Sequence, residues 1–154
     1  MKKILYLIII AFAVISCNSG NSLSDYHEFS DLLWHKTEKP KFEFNIKKEG
    51  HYSINIDLRL IYGYTFRNIK INMNASKDAT NKKVIPIDFK VRNEDDSFKG
   101  EIMGDFIDLH ETIITDTILS AGKYTFELDQ TMDNKTLPFV MEVGVVLNEK
   151  TTEN

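Results

Sequence analysis

The sequence contains few of the residues that commonly mark catalysis or covalent cross-links. It has one cysteine, three prolines and seven glycines in 154 residues. A disulfide framework is therefore excluded, and neither a glycine-rich phosphate loop nor a G-x-S-x-G nucleophile elbow is present. The net charge of −4 argues against a nucleic-acid partner, because such partners require clustered positive charge. The same acidic balance predicts no basic face for anionic lipid headgroups.

The N-terminal residues have the pattern of a secretion signal. Lys2 and Lys3 precede an unbroken apolar run at residues 4–15, and Ser16 and Cys17 follow it. A basic start, a short apolar region and a small residue before the cleavage point are typical of a signal peptide. The run is too short to span a hydrocarbon core of about 30 Å as a helix.

The position of the only cysteine makes this signal more specific. Cys17 stands directly at the expected cleavage point, as in bacterial lipoprotein signals, in which the thiol receives a diacylglyceryl group and the new α-amino group is acylated. We therefore predict a signal peptide at residues 1–16 and lipid attachment at Cys17. The alternatives are an ordinary signal peptide with a chance cysteine, or a buried structural cysteine.

Lipidation would determine the location of the protein. Two or more acyl chains give stable membrane anchoring, so the body of the protein is expected to stay in water while the lipid holds it. Asn18 follows the cysteine, and no acidic residue occurs before Asp25. The usual inner-membrane retention residue and an acid-rich surface-export tract are therefore both missing. We expect anchoring in the outer membrane, facing the periplasm, with the acyl chains as the only membrane contact.

The mature chain has the pattern of a single all-β domain. Residues 18–24 are small and polar, which predicts a lipidated flexible tether over residues 17–25. Apolar and polar residues alternate in several later segments, most clearly at residues 52–60, as in half-buried antiparallel strands. We predict an antiparallel β-sandwich of about 7–8 strands over residues 26–150. Pro86 favours an edge strand, residues 137–147 a central strand, and residues 74–83 a polar loop.

The titratable residues show no catalytic or metal-binding spacing. The four histidines are scattered, and none forms a metal motif with another. The densest polar group is best interpreted as the solvated face of a strand, with a weak divalent-cation site as the alternative; it consists of Asp105, Asp108, His110, Glu111 and Asp116. We predict no catalytic residue, no metal and no cofactor, and therefore no enzyme.

Three aromatic residues follow the clearest strand. Tyr62, Tyr64 and Phe66 alternate with polar residues and glycine. Exposed rings of this kind could contact a protein partner or stack on a glycan. Alternatively, they cap the core where the strand ends.

The same stretch resembles a known family. Arg59 and residues 64–69 are similar to the R-x₄-Y-x-[YF]-x-N-[IL] stretch of the gliding-motility lipoprotein H (GldH) family of Bacteroidetes. Trp34 with residues 42–46, residues 122–126, Gln130 with Met132, Leu137 and residues 143–145 resemble further segments of that family, in the same order. The chain departs from it at residues 97–100, where the family tends to carry G-x-W-x-G, and at Asp133, where a basic residue is expected. The resemblance implies an envelope lipoprotein associated with gliding machinery and without known catalysis.

Two functional hypotheses follow. The first is a non-enzymatic, membrane-anchored accessory protein that binds envelope or motility-machinery proteins. The alternative is a glycan-binding envelope lipoprotein that uses Tyr62, Tyr64 and Phe66 as its stacking platform.

Overall fold

The computed structural model describes residues 21–150, which form eleven strands in antiparallel sheets around one core. The predicted all-β sandwich in a single domain is confirmed. The strands are β1 Ser22–Glu28, β2 Leu33–His35, β3 Lys41–Ile46, β4 Gly50–Ile61, β5 Asn68–Lys77, β6 Thr80–Lys90, β7 Glu101–Met103, β8 Phe106–Leu119, β9 Gly122–Gln130, β10 Thr136–Pro138 and β11 Val140–Glu149. The predicted signal peptide and Cys17 lie outside the described residues.

Two large sheets form the layers of the sandwich. One has the strand order β1-β11-β4-β8-β7 and the other the order β3-β9-β5-β6, while β10 and β2 form a small third sheet. Eight of the strands are long, which agrees with the predicted number. The additional strands β2, β7 and β10 have three residues each, which is too short to produce a readable alternation.

Alternation along the strands builds the core. In β4, every second residue from Tyr52 to Leu60 is buried, and the residues between them face the outside. Burial of each such apolar side chain contributes roughly 1.5–3 kcal/mol, so a one-residue slip of β4 would be strongly unfavourable. Trp34 closes one end of the core, where its ring stacks on Phe29 with centroids 5.3 Å apart.

The structure confirms two of the strand positions and corrects a third segment. β6 is an edge strand, as Pro86 predicted, and residues 140–147 of the predicted central strand lie in β11, between β1 and β4. Leu137 and Pro138, at the start of the predicted strand, belong instead to β10 in the small third sheet. The prediction of a loop at residues 74–83 is wrong, because β5 and β6 continue into a hairpin closed at Asp78 and Ala79. These two residues have φ of 48° and 60°, the left-handed conformation that two-residue hairpin turns require.

The N-terminal boundary of the domain also differs from the prediction. Residues 22–25, which were expected to belong to the flexible tether, are the first half of β1. Their backbone pairs with β11 from Ser22 opposite Asn148 onward, and Leu23 packs against the core. This edge strand is defined by its backbone pairing with β11. Its side chains are mostly exposed, so the sequence shows no alternation of apolar and polar residues there.

The sandwich has two distinct ends. The register places Ser22 and Leu119 near Gly50 at the start of β4, and Phe106 and Val140 near its last residues. We call the first of these the N-terminal end and the other the opposite end. Because β4 has 12 residues and runs from one end to the other, the two ends of the sandwich are separated by about 36 Å at a rise of ~3.3 Å per residue.

Candidate functional site

The three aromatic residues singled out in the sequence have three different environments. Tyr62 is 61% exposed, Tyr64 is fully buried and Phe66 is partly buried against the core. The Tyr62 ring lies 5.6 Å from the ring of Phe98, whereas Tyr64 faces Phe66 at 5.5 Å. The three rings therefore form no common exposed face, and the glycan platform predicted from them lacks its central member.

Tyr64 belongs to the core at the opposite end. Its hydroxyl has no hydrogen-bond partner among the described residues, and burial raises the pKa of this phenol. Arg92 donates from Nη2 to the backbone oxygen of Tyr64 at 2.7 Å, and its guanidinium lies 3.9 Å from the centre of the Phe98 ring. Arg92 thus joins the β4–β5 connection, which carries Tyr62 and Tyr64, to the β6–β7 connection, which carries Phe98.

Tyr62 is one of a group of exposed apolar side chains at the opposite end. Within residues 21–150, nine large hydrophobic residues are exposed, and six of them lie at this end. We call these six the apolar end: Leu32, Tyr62, Ile102, Met103, Phe106 and Phe139. Large exposed apolar clusters are uncommon on monomeric proteins and mark interaction sites.

Backbone hydrogen bonds bring the segments of the apolar end together. Tyr62 N donates to Asp105 O at 2.7 Å, and the neighbouring Ile61 N donates to Phe139 O at 2.9 Å. Val140 N donates to Leu32 O at 3.2 Å, so the loop after β1 joins the same end. Met103 pairs with Phe106 across the β7–β8 hairpin, and Phe106 pairs with Ile61 of β4. Four separate chain segments are therefore fixed side by side.

Two members of the apolar end have an unfavourable backbone conformation. Leu32 and Phe139 have φ of 56° and 64°, and both side chains are exposed. Large side chains seldom adopt this left-handed conformation, which costs roughly 1–2 kcal/mol per residue. Such strain is concentrated at functional sites, which supports a role for these side chains beyond the core.

The polar group predicted on β8 is distributed over separate ion pairs. Arg59 Nε and Nη2 donate to the two carboxylate oxygens of Asp108 at 2.7 and 3.0 Å, and these hydrogen bonds lower the pKa of Asp108. His110 Nδ1 lies 2.9 Å from Asp57, and Asp116 lies 3.0 Å from His51. No group of three or more potential metal ligands occurs in the described part of the chain. The interpretation as a solvated strand face fits this arrangement.

The histidines each have a different partner. His27 Nε2 lies 2.8 Å from Glu38, and His35 Nδ1 lies 3.1 Å from the Thr136 hydroxyl, while His51 and His110 contact aspartates on β8 and β4. Among residues 21–150, none of them contacts a serine hydroxyl that could serve as a nucleophile. The same residues include no helix that is long and apolar enough to cross a bilayer.

Comparison with known proteins decides the family. The family model described as GldH lipoprotein matches residues 21–147, which is nearly the whole described domain. The chain belongs to the GldH lipoprotein family. Membership in this gliding-motility family implies a lipid anchor in the cell envelope.

The other comparisons add little. No curated protein matches the sequence. Among solved structures, Eiger TNF from S. frugiperda has a TM-score of 0.46 at 8% identity, covering 89% of this chain and 97% of that chain. A protein from Sulfurospirillum deleyianum has a TM-score of 0.43 at 12% identity, and the match covers 85% of this chain and 99% of that chain. CBM35 from Cellvibrio japonicus Abf62 has a TM-score of 0.41 at 10% identity, and the match covers 88% of this chain and 94% of that chain.

The family residues have structural roles in this GldH member. Arg59 and Tyr64 have the contacts described above, and Trp34 Nε1 donates to Glu38 O at 3.0 Å. Gln130 is fully buried, and its side-chain oxygen accepts a hydrogen bond from Met132 N at 3.1 Å. Trp34, Tyr64 and Gln130 support the loops of the opposite end, whereas Arg59 joins β4 to β8. The sequence did not indicate the exposed residues Leu32, Ile102, Met103, Phe106 and Phe139, because they lie in distant segments of the chain that only the fold brings to one end.

Proposed function

We propose that this GldH member is a non-enzymatic, lipid-anchored envelope protein that binds another envelope protein through its apolar end. The observation that carries the proposal is the collection of six exposed apolar side chains at the end farthest from the point where the chain enters β1. The family assignment supplies the envelope location, and the outer membrane with periplasmic exposure remains our expectation.

The position of the anchor favours a protein partner for this end. Cys17 and Asn21 are joined by a segment that can span at most about 14 Å when fully extended. Acyl chains on Cys17 would therefore hold the N-terminal end close to the lipid surface. The apolar end lies about 36 Å further along the strands. It is therefore directed toward a protein and away from the bilayer that holds the anchor.

The polar side chains of the domain support a binding role. The carboxylates and histidines on β4 and β8 form pairs along an exposed sheet face, whereas catalytic groups converge on one position where a reacting atom can sit. At the apolar end, Asp105 contributes only its backbone oxygen to the contacts described above. The exposed apolar side chains are suited to exclude water from a contact with a protein partner.

Chemical cross-linking in the native cell, followed by recovery of the protein, tests this function. Met103→Ser removes a side chain that is 63% exposed, and Ile118→Ser removes one that is 61% exposed but lies at the N-terminal end. Burial of the exposed part of Met103 against a partner is worth about 1–1.5 kcal/mol, so its loss should reduce the captured partner about tenfold. Ile118→Ser should capture as much as the wild type.

Two results would contradict the proposal. One is recovery of the wild-type protein without any envelope protein under conditions that trap known envelope complexes. The other is equal capture by the Met103→Ser and Ile118→Ser variants. Thermal unfolding of both variants should differ from the wild type by no more than about 0.5 kcal/mol, because both side chains are exposed.

A further inference from the structure

We propose that an open cleft between β6 and β8 is a binding site for a carboxylic acid with an apolar chain of about six carbons. The cleft has an apolar interior and a free lysine at its mouth, the two features that a ligand of this chemistry requires. None of its lining residues belongs to the apolar end, so the inference is independent of the proposed protein partner.

The cleft lies where two edge strands face each other across the sandwich. β6 is the edge of one large sheet. β8 is the edge of the other sheet beyond Asp108, because β7 pairs with β8 only at residues 106–108. The two strands approach each other at Lys90, whose backbone N donates to Glu111 Oε2 at 3.4 Å. Toward the β5–β6 hairpin they leave an opening of about 170 Å³ between the sheets.

The opening exists because the large inward side chains of β5 and β6 stop before the hairpin. On β6, the inward residues Ile87 and Ile85 are followed by Lys83. The residue paired with Lys83 on β5 is Ala75, which in turn lies opposite Phe126 on β9. This row of the sheet therefore has a large apolar side chain at Phe126 and none on the two strands between it and the edge.

The interior of the cleft is apolar. Its lining includes three core side chains and four partly buried ones, namely Ile54, Leu119 and Phe126 in the core, and Ala75, Ile85, Ile114 and Tyr124 nearer the solvent. A protein cavity of about 150 Å³ with a similar lining of leucine, isoleucine and phenylalanine stays dry and binds benzene. An apolar group of about six carbons therefore fits this cleft.

The mouth of the cleft carries positive charge. Lys83 is exposed and forms no ion pair within residues 21–150. The other lysine of the lining, Lys77, donates from Nζ to the Ser120 hydroxyl at 2.9 Å. In the adjacent turn, Asp78 Oδ1 accepts a hydrogen bond from Lys123 N at 3.2 Å. Lys83 is therefore available to a ligand.

The charge at the mouth favours a carboxylate as the head of the ligand. One unpaired lysine balances a single negative charge, which a carboxylate supplies and a phosphate monoester exceeds. With the carboxylate paired to Lys83, the apolar chain would extend into the cleft and cover side chains that are otherwise in contact with water.

Methyl NMR of the full-length protein from its native host tests the site, with hexanoate as the probe. Hexanoate should shift the methyl signals of Ile54, Ile85 and Ile114 with a Kd of about 1 mM, as expected for a ligand of about eight non-hydrogen atoms. The signals of Ile69 and Ile102, which lie outside the cleft, should not move. Hexanamide has the same shape without the charge and should bind about tenfold more weakly. Acetate, which lacks the chain, should cause no shift.

Three variants separate the contributions of charge and shape. K83Q should weaken hexanoate binding about tenfold and leave hexanamide binding unchanged. K82Q is the matched control, because Lys82 lines a different groove, on the outer face of the same sheet, and this variant should bind hexanoate as the wild type does. A75L places a larger side chain in the cleft and should abolish the binding of both probes.

Several results would overturn the site. One is a shift of Ile69 and Ile102 as large as that of the cleft residues. Equal affinity for hexanoate and hexanamide would refute the role of Lys83, and so would undiminished hexanoate binding by K83Q. Full binding by a folded A75L variant would show that the ligand does not occupy the cleft. Capture of a protein partner by the apolar end is measured separately and does not affect these outcomes.

Discussion

Removal of the Tyr64 hydroxyl should stabilise the protein. The ring is fully buried and the oxygen has no hydrogen-bond partner among the described residues. A buried hydroxyl without a partner costs about 1–3 kcal/mol, because it loses its contacts with water and gains none. Tyr64→Phe keeps the ring and its contact with Phe66, and it deletes only the unfavourable group.

The expected gain is about 1–2 kcal/mol in the free energy of unfolding, which corresponds to roughly 3–6 °C in Tm for a domain of this size. Thermal unfolding followed by circular dichroism measures it. Tyr62→Phe is the matched control, because its hydroxyl is on an exposed side chain and should contribute less than about 0.5 kcal/mol. If Tyr64→Phe destabilises the protein by about 1 kcal/mol or more, the hydroxyl has a partner, such as a buried water, and the reasoning is refuted.

Three further predictions concern the apolar end and its supports. Arg92→Lys should lower the free energy of unfolding by about 1–2 kcal/mol, because a lysine side chain cannot stack flat on the Phe98 ring. Backbone hydrogen exchange in residues 92–98 should become faster, and unchanged exchange would contradict the prediction. Phe139→Asn should leave the melting temperature nearly unchanged, since asparagine tolerates the left-handed backbone, yet reduce partner capture about tenfold; undiminished capture would count against it. Asp108→Asn should cost about 1 kcal/mol at neutral pH. Arg59 lowers the pKa of Asp108 in the folded state. The stability that the Asp108 carboxylate contributes is therefore present above the unfolded pKa of about 3.9 and is lost as the pH falls through the lower folded pKa. The melting curves of wild type and variant should accordingly converge in acid. A difference that persists in strong acid would exclude the charge as its cause.

The sequence predicted the fold wherever one face of a strand is buried. Apolar and polar residues alternate over residues 52–60 because the inward side chains fill the core while the side chains between them reach the solvent. The hairpin at residues 74–83 was missed for the opposite reason. Thr80 to Val84 are all exposed, so no apolar face selects one side, and the turn at Asp78 and Ala79 has no glycine to mark it.

The candidate site was less predictable than the fold, because it is assembled from distant segments. Leu32, Met103 and Phe139 are each far apart in the chain and become neighbours only through strand pairing and the loop hydrogen bonds at the opposite end. Tyr64 could not be separated from Tyr62 by sequence, since both follow the same strand. Only the path of the chain after Ile61 buries one ring and exposes the other.

Position-specific photo-crosslinking in living cells tests the central claim most directly. A photo-reactive phenylalanine derivative is placed at Met103 or, as the control, at Ile118, two positions of nearly equal exposure at the two ends of the sandwich. The account predicts an adduct with an envelope protein from position 103 and none from position 118. An adduct from position 118 alone, or from neither position, would contradict the claim that the apolar end is the partner-binding surface.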